Sequence, residues 1–438
     1  MKKFILLPIV SGLTLALTAC GGGSSQNEST SSSSQTASTG STVQAQTISL
    51  NAYTYQCGVE SPYQADIVFH DESGEPLGSS KTNAQGEFSD EIPIGTVHVS
   101  IVGAEKDSDF EDYTKIQSEL SIQGRTNLGK FYFTDYTEDC GCQTYQLDKS
   151  DLGNIANYYD LKTSFGSYLG DSIRVCPSDQ KVYLTAESFR DYDVKAAVID
   201  IPTGSEIIKL KESDFKHQGV DFYPSINQYP EYVSSRAYIP QEHQYQLIRI
   251  SSELNSEPLH IFPSVTDHNF LVKLDFESSY VDYVDVDFVS YARDRVNDDG
   301  SHTDTRLPVI SDELAVSLVQ FANNTELTYD FSNADERFAR ARWEFSFLVD
   351  DAMETRFDWI LRGGISGEIP DLSFGDVFPE PQGNVTLDLL DLHLYGYAGN
   401  ATDAATYRTL LERIAEGGHI TQPEFSNYVY LTMRADLY

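Results

Sequence analysis

The sequence predicts a mainly β protein made of tandem β-sandwich domains, immunoglobulin-like or jelly-roll-like, with one C-terminal surface helix. Apolar and polar residues alternate over many short stretches bounded by turn residues, which is the pattern of half-buried strands. The clearest case is FARARWEFSF, where every second residue from Ala339 to Phe347 is apolar. A β-propeller-like body is the alternative, because two hairpin-like stretches at 195–210 and 245–262 follow each other at a spacing of about 50 residues.

The N-terminus has the features of an export signal. Lys2 and Lys3 precede an apolar run at residues 4–17, which is shorter than the about 20 residues of a membrane-spanning helix. The run ends in Leu-Thr-Ala-Cys at residues 17–20. This ending resembles the lipobox of bacterial lipoprotein signal peptides, with an ordinary secretory signal as the alternative.

The lipobox resemblance implies removal of the signal peptide at residues 1–19 and a lipid anchor on Cys20. The sulfur would carry a diacylglycerol thioether and the new N-terminus an acyl chain, and several acyl chains anchor a protein firmly. Gly21 stands where an aspartate would favour inner-membrane retention, so the resemblance implies the outer membrane, on a side that the sequence does not determine. Residues 20–46, rich in Gly, Ser, Thr and Gln, are predicted to be a disordered tether.

The chain is strongly acidic, since 67 Asp and Glu against 30 Lys and Arg give a formal net charge of −37. Nucleic-acid binding relies on Lys and Arg that neutralise phosphates, so the composition argues against a nucleic-acid partner. It also argues against binding anionic lipids by charge. The predicted partners are the membrane, through the lipid anchor, and an envelope protein or glycan.

Apart from Cys20, the chain contains four cysteines, an even number in an oxidising compartment. Cys140 and Cys142 flank one glycine and are too close for a relaxed bridge to each other. Each is therefore predicted to pair with a distant partner, Cys57 or Cys176, in two structural disulfides whose connectivity stays open. A redox or metal site is the alternative, but the Cys-x-x-Cys spacing typical of such sites is missing.

Residues 47–148 are predicted to form the first domain. Within them, ADIVFHDESGEPLGSSKTNAQGEFSDEIPIGTVHVSIVG is typical of strands separated by turns, with positive φ expected at Gly86. This stretch resembles the carboxypeptidase-regulatory-like family of transthyretin-type sandwiches. The resemblance implies a seven-stranded β-sandwich of about 80 to 100 residues that serves as a spacer or binding module. The residues that match the family pattern are Asp71, Gly74, Thr82, Asn83, Gly86, Phe88 and Gly95.

The rest of the chain is divided into a β-rich middle region at 149–262 and a C-terminal β-sandwich at 263–438. In the second of these, VDVDFVSYA at 284–292 is similar to LDLHLYGYA at 390–398, which indicates either two related halves or the common composition of strands. A helix at about 403–416 is predicted from apolar residues at helical spacing between a threonine cap and a Gly-Gly pair.

No catalytic residue is assigned from the sequence. The His-Glu-x-x-His pattern of metallopeptidases and the Gly-x-Ser-x-Gly elbow of serine hydrolases are both missing. The stretch RVNDDGSHTD offers Asp298, Asp299 and Asp304 in a glycine-bearing loop; the Asp-Gly pair predicts a hairpin turn, and a calcium site formed by these three carboxylates is the alternative. No other cofactor is predicted.

Tyrosine is frequent, with 27 residues, and several tyrosines cluster, as in LHLYGYAG. Tyrosine-rich sandwiches stack sugars or make protein contacts, although tyrosine is also a common strand residue. We therefore expect an outer-membrane-anchored lipoprotein with a binding or structural role in the cell envelope, which recognises a protein or a polysaccharide. The alternative is a hydrolase of envelope or extracellular polysaccharide. A flat aromatic sheet face would favour binding, and a pocket with two carboxylates would favour hydrolysis.

Overall fold

The computed structural model of the protein describes residues 46–436 with gaps. In this part of the chain, 58% of the residues are in strands and 6% are helical, which confirms the predicted mainly β fold. No helix among the described residues is long and apolar enough to cross a membrane. The gaps are residues 57–58, 107–112, 136–138, 165, 178, 180, 225–229, 242–243, 253–257, 267, 324–326, 351–354, 380, 382, 398–410, 412–424 and 426.

The first region contributes eight described strands: β1 (Thr47–Gln56), β2 (Val59–Pro62), β3 (Asp66–His70), β4 (Pro76–Lys81), β5 (Glu87–Glu91), β6 (His98–Glu105), β7 (Tyr113–Glu119) and β8 (Asn127–Phe133). One layer consists of β2, β1 and β5, with β8 paired in parallel to β1, and the other of β4, β3, β6 and β7. The layers enclose a core that includes Ile67, Phe69, Ile101 and Phe131. This is a β-sandwich, with eight described strands against the seven that the family resemblance implies.

Two glycines allow close backbone approaches in the first region. Gly86 has a φ of 74°, as predicted, and a Cβ there would collide with the backbone carbonyl of Ala52. Gly74 has a φ of 93° and lies against Asp371, and its carbonyl accepts a hydrogen bond from the backbone N–H of Ser373 at 3.0 Å. Glycine alone combines positive φ with such contacts at no steric cost. The C-terminal part therefore packs directly on a turn of the first region.

The middle of the chain contains β9 (Gln143–Asp151), α1 (Ile155–Tyr158), β10 (Tyr159–Thr163), β11 (Ser172–Val175), β12 (Lys181–Ser188), β13 (Val194–Asp200), β14 (Ile207–Lys211), a 3₁₀ turn (Glu212–Asp214), β15 (His217–Gln218), β16 (Val220–Phe222), β17 (Tyr232–Gln241), β18 (Gln244–Ser252) and β19 (Leu259–Ile261). Its smaller sheets have the orders β11-β9-β14, β10-β12-β13-β15 and β16-β19. A propeller repeats four-stranded blades, so the unequal sheets of the described chain favour the sandwich-type prediction.

The C-terminal part contains β20 (His268–Val281), β21 (Val284–Val296), α2 (Asp312–Asn323), β22 (Thr328–Asp330), β23 (Arg340–Asp350), β24 (Arg356–Gly363), β25 (Ser366–Glu368), β26 (Asn384–Tyr397) and β27 (Tyr428–Asp436). Apart from the short β22–β25 pair, its strands belong to one twelve-stranded sheet of order β18-β17-β20-β21-β27-β26-β23-β24-β7-β6-β3-β4. Within this sheet only β24 and β7 are parallel neighbours. Strands from all three predicted regions therefore share one sheet.

The two faces of the large sheet differ in the C-terminal part. Trp343, Phe345 and Phe347 point to the inner face, where they join the largest apolar core, and Trp343 stacks on Phe321 of α2 with ring centroids 4.2 Å apart. The alternation predicted for β23 is thus confirmed. The residues between them, such as Glu344, point to the outer face.

Helix α2 was not predicted from the sequence. It covers the inner face with Ala315, Leu318 and Val319, which are fully buried. These residues recur at helical spacing, so the pattern was available. The helix predicted at about 403–416 lies outside the described residues, apart from Leu411.

Candidate functional site: a sheet face of tyrosines and paired charges

The outer face of β21, β23, β26 and β27 carries tyrosines and paired charged residues. Residues directly opposite on neighbouring strands point to the same side of a sheet, so the register determines their arrangement. Tyr395 of β26 lies opposite Arg340 on β23 and Tyr430 on β27, and Tyr430 lies opposite Tyr291 on β21. We call this surface the tyrosine–arginine face; its other members are Arg342, Glu344, Asp391, His393, Tyr397, Tyr428, Thr432, Arg434 and Arg293.

Part of the tyrosine–arginine face is exposed, although Tyr291 and Tyr397 within it are only 6% and 7% exposed. No strand or helix of the described chain forms a layer over it, whereas β1 and β8 cover the same side of the sheet at β3 and β6. The Arg434 side chain is 53% exposed, and those of Arg342, Glu344 and His393 are 34%, 30% and 26% exposed. A ligand can therefore reach these groups.

The tyrosine rings contact each other across the strands. The rings of Tyr291 and Tyr430 stack with centroids 4.4 Å apart and planes at 9°. Tyr428 contacts Tyr397 at 5.0 Å and Tyr395 at 6.3 Å between centroids. Burial raises the pKa of Tyr430 and raises the pKa of Tyr397 to about 12. Their hydroxyl groups stay protonated at neutral pH and can both donate and accept hydrogen bonds.

Glu344, Asp391 and His393 form a cluster beside the tyrosines. Glu344 lies opposite Asp391, and one polar atom from each of the three side chains lies within 4.8 Å of the others. Arg434 donates two hydrogen bonds to Asp391, from Nε at 2.8 Å and from Nη2 at 2.7 Å. Arg342 is ion-paired with Glu344. Both carboxylates therefore have a guanidinium partner.

Glu344 is held in its ionised form. Burial alone would raise its pKa, but the hydrogen bond from His393 and the charge of Arg342 lower the pKa of Glu344 to about 2. The Nε2 of His393 lies 3.5 Å from the Glu344 carboxylate, and its Nδ1 lies 2.9 Å from Thr432 Oγ1. The imidazole is thus fixed from both sides.

This cluster is better suited to hydrogen bonding than to proton transfer. A retaining glycosidase needs two carboxyl groups about 5 Å apart, one of them an acid with a raised pKa. Glu344, with a pKa of about 2, is not such an acid, and Asp391 is 4% exposed with both oxygens held by Arg434. A metal ion would have to displace both guanidinium groups from the carboxylates that they neutralise.

Where the first region joins this face, one buried carboxylate meets three guanidinium groups. Glu119 accepts a hydrogen bond from Arg125 at 2.6 Å, contacts Arg340 and lies 3.6 Å from Arg362. Burial alone would raise its pKa, but the charges of Arg340, Arg125 and Arg362 lower the pKa of Glu119 to about 2. Arg362 in turn lies directly opposite Arg342. Two like charges therefore face each other at this edge of the face.

The structure contains one of the predicted disulfides. Cys142 and Cys176 are bonded, with an S–S distance of 2.02 Å, and join the paired strands β9 and β11. Cys140 is disulfide-bonded as well. Cys57 and Cys20 lie outside the described residues, so the second pair and the lipid anchor stay predictions.

The three predicted calcium ligands have separate local roles. Their loop is a hairpin turn closed by a hydrogen bond from the Gly300 N–H at 2.8 Å. Asp298 is exposed, and Asp299 accepts hydrogen bonds from the serine two positions later. Asp304 is ion-paired with Lys273 at 2.7 Å. The predicted hairpin turn describes the local structure, and the calcium alternative stays untested.

A separate candidate site, which is concave, is formed by residues from the middle of the chain. It is a polar cavity of about 340 Å³ between α1, β13 and the 3₁₀ turn. Its two acids have local partners: Ser188 Oγ donates to Asp191 at 2.5 Å, and Asn154 Nδ2 donates to Glu212 at 3.2 Å. Since the tyrosine–arginine face combines stacked aromatic rings with paired charges, it is the stronger candidate.

One sequence signal coincides with this face. The similar stretches VDVDFVSYA and LDLHLYGYA are in β21 and β26, which lie on either side of β27. The tyrosine cluster LHLYGYAG is therefore part of the site. Sequence reasoning missed Arg342, Glu344 and Arg434, because only the strand register brings these side chains to their partners.

In comparisons with known proteins, no family model and no curated protein matches this chain. The resemblances to the lipobox and to the carboxypeptidase-regulatory-like family therefore rest on their own motif residues. The function is inferred from the site.

Proposed function

We propose that this protein is an outer-membrane lipoprotein, anchored at Cys20, that binds a polysaccharide through the tyrosine–arginine face. The observation that carries this proposal is the partly exposed sheet face on which the side chains of Arg342, Glu344 and Arg434 lie beside the stacked rings of Tyr291 and Tyr430. Sugar rings have apolar faces and hydroxyl-bearing edges. Aromatic rings with polar tips, next to planar hydrogen-bonding groups, complement both.

The polar groups of the face support this proposal because they are held in place before a ligand arrives. Arg434 fixes Asp391 at both oxygens, and Thr432 contacts the Nδ1 of His393. Groups that are already ordered lose less conformational entropy on binding. Carboxylate oxygens also have lone pairs beyond those used by one guanidinium, so they can accept hydrogen bonds from sugar hydroxyls.

The composition of the face favours a glycan over a protein partner. Protein interfaces have an apolar centre from which charged residues are depleted. Here Arg342 and Glu344, 34% and 30% exposed, lie beside the tyrosines, and the buried Asp391 lies directly opposite Glu344. The low pKa of Glu344 also supports binding over hydrolysis, as argued for the carboxylate pair.

Glycan binding is tested on the full chain, purified in detergent, with an oligosaccharide panel followed by calorimetry on the sugars that bind. We expect Tyr430→Ala to weaken the affinity by about 3- to 10-fold, because one aromatic contact is worth about 0.5–1.5 kcal/mol. Tyr223→Ala is the matched control, since Tyr223 is 64% exposed and lies outside the face.

An unchanged affinity in folded Tyr430→Ala would assign binding to another surface. If the chain binds no sugar of the panel but captures one envelope protein in stoichiometric amount, the glycan proposal is wrong and the protein-partner alternative holds.

Membrane anchoring is tested by Cys20→Ser. We expect the wild type in the outer-membrane fraction of a density gradient and the variant in the soluble fraction, because the thioether needs the Cys20 sulfur. Ser24→Ala, a change in the predicted tether, should leave the wild-type distribution unaltered. A membrane-bound Cys20→Ser variant contradicts the lipid anchor.

A further inference from the structure

We infer that the polysaccharide is a polyuronate, whose carboxylate groups bind Arg342 and Arg362; this inference rests on the proposed glycan-binding function. Arg342 and Arg362 lie directly opposite each other on β23 and β24, and their side chains are 34% and 21% exposed. Like charges in such positions repel each other. An anion between the two guanidinium groups removes this repulsion.

The carboxylates near the two arginines are shared with other groups. Glu119 lies 3.6 Å from Arg362 but has closer contacts to Arg125 and Arg340. Glu344 serves both Arg342 and His393. Arg362 therefore has no carboxylate of its own in the described part of the chain, in a protein whose net charge is −37.

Both guanidinium groups retain N–H donors for a ligand. The described hydrogen bonds and ion pairs of Arg362 are those to Glu119 and to Gln117 Oε1, the latter at 3.1 Å. Arg342 pairs with Glu344 through Nη2 and its Nε is buried, so a ligand reaches this guanidinium group through its other terminal N–H groups. A guanidinium group matches a carboxylate with two parallel hydrogen bonds.

The neighbouring side chains fit the sugar ring that carries the carboxylate. His393 lies opposite Arg342, and Tyr395 follows two residues later on the same side of β26. A carboxylate at the arginines places its ring next to these side chains, with Tyr430 beyond them. An acidic peptide supplies carboxylates but no ring faces for the tyrosines, so the arrangement favours a polyuronate.

The acidity of the rest of the chain does not prevent this binding. The Debye length is about 8 Å at physiological ionic strength, so exposed acids farther away act only weakly. Contacts within hydrogen-bond distance are screened much less. The local arginine pair therefore decides the sign of the interaction with a bound carboxylate.

The test compares an oligogalacturonate with its fully methyl-esterified form, which has the same ring without the charge. Calorimetry uses the full chain in detergent at about 0.15 M salt. We expect the acid form to bind at least about tenfold more tightly, the effect of one charge-assisted hydrogen bond. A poly-glutamate peptide of equal charge should bind more weakly than the acid form.

Equal affinity for the acid and the ester overturns the inference and leaves glycan binding intact, as does binding of other sugars alone. Absence of binding to every sugar of the panel overturns the proposed function itself. Poly-glutamate that binds as tightly as the oligogalacturonate assigns the site to acidic proteins and also overturns the inference.

Variants assign the effect to the two arginines. Arg342→Gln and Arg362→Gln should bring the ratio of the affinities for the oligogalacturonate and for its methyl ester close to one. Arg306→Gln removes the same charge from an exposed position outside the face and should keep the ratio. If Arg342→Gln does not fold, Arg342→Lys replaces it in the test. Lysine keeps the charge but lacks the planar guanidinium group, so this variant should lower the ratio in part. An unchanged ratio in the folded variants overturns the assignment.

Discussion

The two ends of the twelve-stranded sheet use its faces in opposite ways. At the first-region end, the outer side of β3 and β6 is apolar and packs under β1 and β8, with Ile67 and Ile101 in its core. In the C-terminal part, the outer side carries tyrosines and charges, and the inner side holds the apolar core around Trp343. The apolar side of the sheet changes from the outer to the inner side at β7 and β24.

On its inner side, the first-region end has a row of hydrogen-bonded polar side chains, whereas the C-terminal part has its apolar core there. His70 Nε2 lies 2.9 Å from Ser100 Oγ, which lies 2.7 Å from Ser118 Oγ, and Trp359 Nε1 donates to Ser118 at 2.9 Å. The side chains of His70, Ser100 and Ser118 are fully buried as well, because the C-terminal part packs over them, with Phe374 against the His70 ring. The comparison shows that a polar side of the sheet can be buried, and that the tyrosine–arginine face differs by presenting the charged side chains of Arg342 and Arg434 to solvent.

The largest effect is expected at the junction of the two ends. Glu119→Gln removes the buried carboxylate that Arg125, Arg340 and Arg362 share, and so leaves the charge of these guanidinium groups less well compensated. Loss of one partner of a buried ion pair costs about 3–5 kcal/mol. Urea unfolding should show this loss, whereas Glu277→Gln, at an exposed position of β20, should stay within about 0.5 kcal/mol of wild type.

If Glu119→Gln lowers the free energy of unfolding by less than about 1 kcal/mol, the junction of the two ends at β7 and β24 does not depend on this ion-pair cluster.

The next largest effect is expected at His70, one of the hydrogen-bonded polar side chains on the inner side of the first-region end. Burial lowers the pKa of His70 from 6.5 to about 4, against the opposing hydrogen bond to the Gly74 carbonyl. In the unfolded chain, His70 is protonated below about pH 6.5. In the folded protein it is protonated only below about pH 4. Stability should therefore fall by about 3 kcal/mol through His70 alone as the pH drops through this window.

The measurement is the free energy of unfolding as a function of pH for wild type and His70→Gln. The variant should have a smaller slope between pH 6.5 and 4, and equal slopes would assign the pH dependence to other groups. Glu119 and Glu344 act in a different window: their lowered pKa values stabilise the fold above about pH 4.5 and lose this effect toward pH 2.

The smallest effect is expected at the contact of the two ends through Gly74. Gly74→Ala should destabilise the protein by roughly 1–3 kcal/mol, because it adds strain at positive φ and a clash with the Asp371 carbonyl. Gly204→Ala is the matched control: its φ is 74° and no atom lies within 4 Å of the added Cβ. Thermal unfolding should show a larger loss for Gly74→Ala, and equal losses would show that φ alone matters.

The mainly β fold was predictable because strand patterns are local. The alternation around Trp343 identified the buried side of β23, and the turn at Gly86 has the expected conformation. Helix α2 was predictable in principle from the spacing of Ala315, Leu318 and Val319, but it was missed. The order of the strands was out of reach, because an alternating pattern says which side a strand buries and not which strand lies beside it.

The candidate site was predictable only in part, for the same reason. A tyrosine cluster that includes Tyr395 was identified from composition, but its contact with Tyr430 depends on the pairing of β26 with β27. The ion pairs on Glu344 and Asp391 depend on that register as well. Charged residues in a strand look the same in sequence whether they face water, a partner charge or a ligand.

The position of β27 has a consequence for how the protein is made. Although it is the last of the described strands along the chain, β27 lies between β21 and β26 in the interior of the sheet. During synthesis, both neighbours emerge with one unpaired edge, and such edges pair readily with other chains. The sheet can close only after β27 has been made, so the edges of β21 and β26 that pair with β27 stay unpaired until then.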